Sequence, residues 1–259
     1  MKKTAALLLL LFLSISTYAQ DLSLYKKEKF VTKGDTLKYR ILYPKNFDAN
    51  KKYPVILFLH GRGESGNDNE RQLANGGKLF LNENFRDNNE VITIFPQCRQ
   101  DSYWANVEID TVNTKRFFTF KKGGQATKSM DLVLQFTDQF FKNTFVDPTR
   151  IYVGGLSMGG MGTFEILRRK PKTFAAAFAI CGGDNVKNVK KYKHIPLWIF
   201  HGGLDDVVTP QFSHGIYRER KKLGNEAKFT LYLKANHNSW DSAFAEPELL
   251  PWLLSHKKQ

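Results

Sequence analysis

Ser157 lies in the stretch Gly155-Leu156-Ser157-Met158-Gly159, with Gly154 and Gly160 just outside it. Ile151, Tyr152 and Val153 lead in as a strand, and Gly160 to Lys170 (GMGTFEILRRK) reads as a helix. A strand that turns sharply into a helix holds the serine between them up as a nucleophile. Side chains two positions either side would collide across such a turn, so glycine is needed there. The helix start also offers the N–H of Met158 to a developing oxyanion. A slack surface turn is the rival reading. Gly and Ser are common enough that this pentapeptide arises by chance in roughly one chain in ten of this length. The rest of the sequence must therefore decide.

A nucleophilic serine needs a base and a group that orients the base. With this turn, the chain order is serine, acid, histidine, and the last two sit on loops after late strands. WIFHGGLDDVVTP (Trp198 to Pro210) supplies the acid just past a strand: Asp205 is the first choice and Asp206 the second. LYLKANHNSW (Leu231 to Trp240) supplies His237 past the next strand. A second oxyanion donor is expected from the loop after an early buried strand, LFLHGRGESGNDN (Leu57 to Asn69). There Gly61 and Gly63 would let the backbone approach. The N–H of Arg62 is the first choice of donor and that of Gly63 the alternative. The same loop resembles a phosphate cradle but lacks the Lys-Ser/Thr ending. His194, His201, His214 and His256 read as structural or exposed, with His201 packing beside the acid loop. No H-E-x-x-H, paired C-x-x-C or strand-following G-x-G-x-x-G occurs, so neither a metal nor a cofactor is expected.

The elements that must position these residues recur in alternation. KFVTKGDTLKYRILYP (Lys29 to Pro44) reads as a hairpin turning at Gly34-Asp35. PVILFLH, EVITIFPQC, RIYVGG, FAAAFAICGG, IPLWIFHGG and AKFTLYLK follow as strands. Helical spacing covers Lys128 to Phe145, with Asp147-Pro148 as a stop, then Thr209 to Leu223 and Glu246 to His256. Strands alternating with helices predict an α/β fold, with a mostly parallel central sheet and helices on both faces. Ile109 to Thr127 is the odd segment, rich in Phe, Lys and Arg. It reads as a loop or insertion near the sheet edge, either a pocket wall or lid or an ordinary packed loop.

Lys2 and Lys3, the apolar run Leu7 to Ile15, and Thr17-Tyr18-Ala19 form a secretory leader pattern over residues 1–19. The run is too short to span a bilayer, and an uncleaved anchor is the rival. Secretion or a periplasmic location follows, without stable membrane insertion. The chain of 259 residues carries a formal net charge of +14. Its Lys and Arg are scattered rather than blocked, and no nucleic-acid motif is present, so a solvated basic surface outweighs nucleic-acid binding. An acidic polysaccharide or cell surface remains compatible. Cys98 and Cys181 both follow predicted strands. Buried free thiols are the default, although export would permit a bridge.

HGRGESG, PQC followed by YW, GLSMGG, HGGLDDVVTP and NHNSWDSAF together resemble the secreted α/β-hydrolases of the polyhydroxybutyrate-depolymerase-like and feruloyl/acetyl-xylan-esterase group, carbohydrate esterase family one and its relatives. The same group is also labelled as peptidases of the prolyl oligopeptidase type. The motifs run from about Leu57 to Phe244. The resemblance implies one α/β-hydrolase catalytic domain over residues 20–259, with Ser157, Asp205 and His237 as the catalytic triad. It implies that Gln97 and Trp104 border the acyl pocket and that Trp240 shapes the floor beside His237. Such a protein would hydrolyse carboxylic esters, acetyl or feruloyl groups on a plant polysaccharide. A serine peptidase and a non-catalytic carbohydrate-binding protein are the alternatives. One departure is Asn236, where the group often has glycine before the histidine.

Overall fold

The computed structural model describes residues 21–32 and 34–258, so the leader expected over residues 1–19 lies outside the described residues. Among the described residues the strands are β1 (Lys26–Thr32), β2 (Asp35–Leu42), β3 (Tyr53–Leu59), β4 (Ile92–Pro96), β5 (Val107–Val112), β6 (Lys115–Phe120), β7 (Val146–Leu156), β8 (Ala176–Ile180), β9 (Leu197–Gly202) and β10 (Lys228–Tyr232). Eight of them form one sheet in the order β1-β2-β4-β3-β7-β8-β9-β10. The β1–β2 and β2–β4 pairings are antiparallel, and every other pairing in this sheet is parallel. The α-helices are α1 (Glu83–Asn88), α2 (Lys128–Phe140), α3 (Met158–Arg169), α4 (Val189–Tyr192), α5 (Gln211–Lys222), α6 (Trp240–Phe244) and α7 (Leu249–Ser255).

The unbroken apolar run of β3 has a simple cause. Successive strand residues point to opposite faces, and both faces are covered. Val55, Leu57 and Leu59 join one core with Met130, Val133 and Phe136 of α2 and Phe164 of α3. Ile56 and Phe58 join the other with Phe80 and with Leu249 and Leu253 of α7. The sheet is thus mostly parallel and covered on both faces, as its sequence pattern implies. No helix among the described residues is long and apolar enough to cross a membrane.

Helix boundaries differ from the expectation in instructive ways. Thr127 caps α2 by accepting from the Met130 N–H at 3.2 Å. The helix then stops at Phe140, because the Phe145 carbonyl instead accepts from the Tyr53 N–H at 2.8 Å and the chain enters β7 at Val146. Asp147-Pro148 lies inside that strand rather than in a loop. The short helix α6 has too few residues for its periodicity to register.

The segment 109–127 is only partly a loop: residues 121–127 are irregular, and the part before them is regular. Residues 109–120 belong to a hairpin of β5 and β6, which among the described residues pair only with each other, turning at Asn113 and Thr114 with φ of 48° and 68°. Both turn residues at positive φ match the twist of a tight two-residue hairpin. Phe120 at its root is buried against Phe212, while Phe117 and Val112 stay exposed.

The loops after β3, β7, β9 and β10 all leave the carboxyl ends of parallel strands. Open α/β sheets place their ligands at that edge.

Candidate active site

Ser157 occupies the turn between β7 and α3 with φ 52° and ψ −117°. That conformation is costly for a residue with a side chain and persists only where its surroundings over-determine it. Here the Ser157 N–H donates to Ile180 O at 2.8 Å, and Ser157 O accepts from the Met161 N–H at 3.0 Å. The flanking glycines are sterically required. A Cβ on Gly159 would stand 1.8 Å from Leu59 O, and one on Gly155 would stand 2.4 Å from Gly159 O. Gly154 faces the Phe178 ring and Gly160 faces the Ile180 carbonyl at similarly close range, so close packing of β8 accounts for both.

Ser157 Oγ lies 2.9 Å from His237 Nε2, and His237 Nδ1 lies 2.8 Å from Asp205 Oδ2. A carboxylate only accepts, so Nδ1 carries the proton and Nε2 is left to accept from the serine hydroxyl. Asp205 is buried, whereas Asp206 is exposed. Asp205 Oδ1 takes the N–H groups of Val207 and Val208 at 3.0 and 2.9 Å. His201 Nε2 stands 3.1 Å from Asp205 Oδ2 and 2.8 Å from Val208 O, with Ser213 Oγ 2.7 Å from its other ring nitrogen. Burial alone would raise the Asp205 carboxyl. The side chains of His201 and His237 and the Val208 N–H outweigh it and hold the group well below the usual carboxylate range. Asn236, placed where the resembling group often has glycine, locks this loop: its Oδ1 accepts from the His237 N–H at 2.7 Å and the Asp206 N–H at 3.4 Å.

The ligand atoms of Cys181, Asp205 and His237 also lie within 4.8 Å of one another. The donor set fits a metal ion poorly. The Asp205 oxygens already accept N–H groups, His237 Nδ1 is protonated, and burial pushes the Cys181 thiol far up, keeping it a thiol.

A cavity of about 310 Å³ opens on Ser157 and His237, lined by the turn at Gly61 to Glu64 and by Tyr103, Arg116, Phe118, Val207 and Trp240 among others. Glu64 is the first residue of that turn to bond back, to Gly61 O at 3.4 Å, so the N–H groups of Arg62 and Gly63 precede the first helical hydrogen bond. Met158, the first residue of α3, is likewise ahead of that helix's first bond. Gly61 is tightly boxed, with a Cβ 2.8 Å from Leu156 Cδ1, but Gly63 has open space around it and is not sterically required.

Trp240 lines the cavity, with its ring edge-on to His237 at a centroid distance of 5.5 Å. Gln97 and Trp104 sit one layer behind the expected position and are not among the cavity's lining residues. Gln97 instead ties the 61–69 loop down, accepting from the Asn69 N–H at 2.7 Å and donating to Asp68 Oδ1 at 2.9 Å. Buried Trp104 donates to His60 O at 3.1 Å and packs its Cβ against Gly162. Arg116 and Phe118 bear out the pocket-wall reading of the 109–127 segment, whereas nothing in the sequence singles out Tyr103 as a lining residue. The aromatic and basic character of the segment is the signal for those two. Cys98 and Cys181 are buried free thiols.

The sheet order, with the serine turn after β7, the acid after β9 and the histidine after β10, defines an α/β-hydrolase. A model of the Phospholipase/Carboxylesterase family matches residues 47–246, and the chain belongs to that family. It is 29% identical over 207 residues to a bifunctional acetylxylan esterase/xylanase of Neocallimastix patriciarum, covering 78% of this chain and 26% of that protein. It is 25% identical over 174 residues to dipeptidyl-peptidase 5 of Porphyromonas endodontalis, covering 66% of this chain and 23% of that protein. The chain thus spans about a quarter of the length of these curated relatives. Among solved structures, a thermostable esterase superimposes with a TM-score of 0.81 at 28% identity, covering 91% of this chain and 64% of that one.

Proposed function

We propose that the protein is a serine carboxylesterase, with Ser157 as nucleophile, His237 as base and Asp205 as the group that orients it. The unbroken hydrogen-bond chain from Asp205 Oδ2 through His237 to Ser157 Oγ carries this reading. His237 Nε2 takes the hydroxyl proton as Ser157 attacks the ester carbonyl. The N–H groups of Met158 and of Arg62 or Gly63 then hold the oxyanion, each contributing about 3 kcal/mol to lowering the barrier. The imidazolium returns the proton to the leaving alcohol, and water, activated by the same histidine, releases the acid. Asp205 keeps Nδ1 protonated and stabilises the imidazolium throughout.

Acetyl or feruloyl groups on a polysaccharide are the substrates we favour. The likeness to an acetylxylan esterase/xylanase supports this, as does the aromatic lining of Tyr103, Phe118 and Trp240. Export through a leader at residues 1–19 would bring the enzyme to such polymers. Likeness to a dipeptidyl peptidase sustains a second reading, a serine peptidase. Turnover of methyl ferulate against proline-containing peptides separates the two.

Ser157→Ala should lower kcat on 4-nitrophenyl acetate by at least about 10³-fold while leaving the melting temperature within a few degrees. Unchanged turnover would sink the assignment of Ser157 as nucleophile; no turnover and no fluorophosphonate adduct on Ser157 in the unaltered protein would instead favour a protein that only binds.

A further inference from the structure

The β5–β6 hairpin leads from a buried root to the rim of the Ser157 cavity. Along β6, Phe120, Phe118 and Arg116 alternate onto one face, roughly 7 Å apart along the strand. Phe120 is buried, Phe118 half-buried and Arg116 exposed, and the last two line the cavity. Arg62 lines it from the other side. Its guanidinium donates to Ser102 O at 2.9 Å and Gln100 O at 2.7 Å, and lies 5.9 Å from the centre of the Tyr103 ring. Among the described residues, neither Arg62 nor Arg116 forms an ion pair with a carboxylate. Burial pushes the Tyr103 phenol up to about 12, and the fields of Arg62 and Arg116 pull against it.

Glu64 is the acid on the cavity wall, and its Oε1 is taken by the Asn75 side-chain amide at 2.7 Å. Its Oε2 has no hydrogen-bond partner and lies 3.9 Å from His60 Nδ1, so two cations line the cavity with one anion that forms no ion pair with either. Attack on a neutral ester needs no cationic wall here, because the backbone N–H groups serve the oxyanion.

We propose that Arg116, supported by Arg62 and Tyr103, recognises a carboxylate on the substrate, so that this site prefers esters with an acidic acyl or alcohol part over their neutral counterparts. The inference rests on the esterase reading above. An arginine fork matches a carboxylate through two parallel N–H bonds, which a lysine does not reproduce. At an exposed rim such a charge acts chiefly on capture, and salt weakens it. The formal net charge of +14 adds a long-range field of the same sign.

The test compares kcat/KM for two pairs of esters: 4-nitrophenyl acetate with 4-nitrophenyl hemisuccinate, and 4-carbamoylphenyl acetate with 4-carboxyphenyl acetate. The first pair places the anion on the acyl side and the second on the alcohol side. Each ratio is corrected for intrinsic hydroxide reactivity. One pair should favour the anion by about tenfold in the unaltered protein. Arg116→Gln should bring that ratio towards one, Arg116→Glu should invert it, and added salt should erode it. Equal handling of both members in both pairs, or a preference that survives Arg116→Glu, overturns the proposal. Turnover of none of the four esters would end the esterase reading itself. Calorimetric binding of succinate to the Ser157→Ala protein then decides the anion site alone: binding abolished by Arg116→Glu supports it, and no binding or unaltered binding overturns it.

Discussion

Behind Ser157, nearly every group is tied down. Gln97 binds the backbone of the 61–69 loop, Trp104 binds the His60 carbonyl, and His60 accepts from the Cys98 N–H at 2.9 Å. In front of Ser157, the β5–β6 hairpin exposes Ile109, Val112 and Phe117 and pairs with no strand but itself. Its root is anchored, where Phe120 O accepts from Asn185 Nδ2 at 3.0 Å and Lys121 O accepts from Asn188 Nδ2 at 3.1 Å, and Phe118 packs beside Phe120 and Met161. The back wall holds Ser157 in a strained backbone conformation, which persists only where its surroundings over-determine it. The front carries side chains that meet a substrate, and few contacts constrain what those side chains are.

The largest effect that would break this contrast is expected at the back. Gly159→Ala forces a methyl group into the Leu59 carbonyl. It should cost on the order of 4 kcal/mol or leave no folded protein, whereas Gly63→Ala, in open space, should stay within about 0.5 kcal/mol. Equal melting temperatures for the two would refute the steric account of the turn.

An intermediate effect is expected at the hairpin's anchor. Asp184 holds Asn188 and Tyr192 through its carboxyl oxygens at 2.8 and 2.9 Å. Burial pushes its carboxyl up to about 6, against the opposing hydrogen bonds from Asn188, Tyr192 and the Asn185 N–H. In the unfolded chain the group ionises near pH 4. Between about pH 4 and 6 the folded protein therefore holds a proton that the unfolded chain has lost, and stability falls as pH rises through that window. The loss is on the order of 3 kcal/mol. Asp184→Asn should flatten that slope in urea titrations at pH 4, 5, 6 and 7; a slope equal to that of the unaltered protein would count against the buried acid.

The smallest effect belongs to the hairpin's outer face. Phe117→Ser should change stability by less than about 0.5 kcal/mol. A larger loss in the melting temperature would mean that this face is covered in solution.

The same contrast explains what could be read from the chain. Strands β3, β7, β8 and β9 announce themselves because burial on both faces demands unbroken apolar runs. Ser157, Asp205 and His237 could be paired because each follows its strand in a fixed order, and the structure does bring the three into hydrogen-bond contact. The choice between Asp205 and Asp206 is settled by burial, which two adjacent aspartates do not advertise. The hairpin does not register because its alternation is broken by Val112 and Phe117 on the solvated face and by Arg116 on the other. Gln97 and Trp104 were placed one layer too far forward, since proximity to the site in a motif does not tell a wall from the brace behind it.

The two cysteines have a consequence for where the molecule can work. Cys98 is buried and its thiol pushed up to about 11, and Cys181 is pushed further by burial and by the nearby Asp205 charge. Neither yields thiolate at neutral pH, and thiolate is the form that oxidants, alkylating agents and exchanging disulfides attack. Among the described residues the fold holds no disulfide for a reductant to open, and burial shields its two thiols from oxidants.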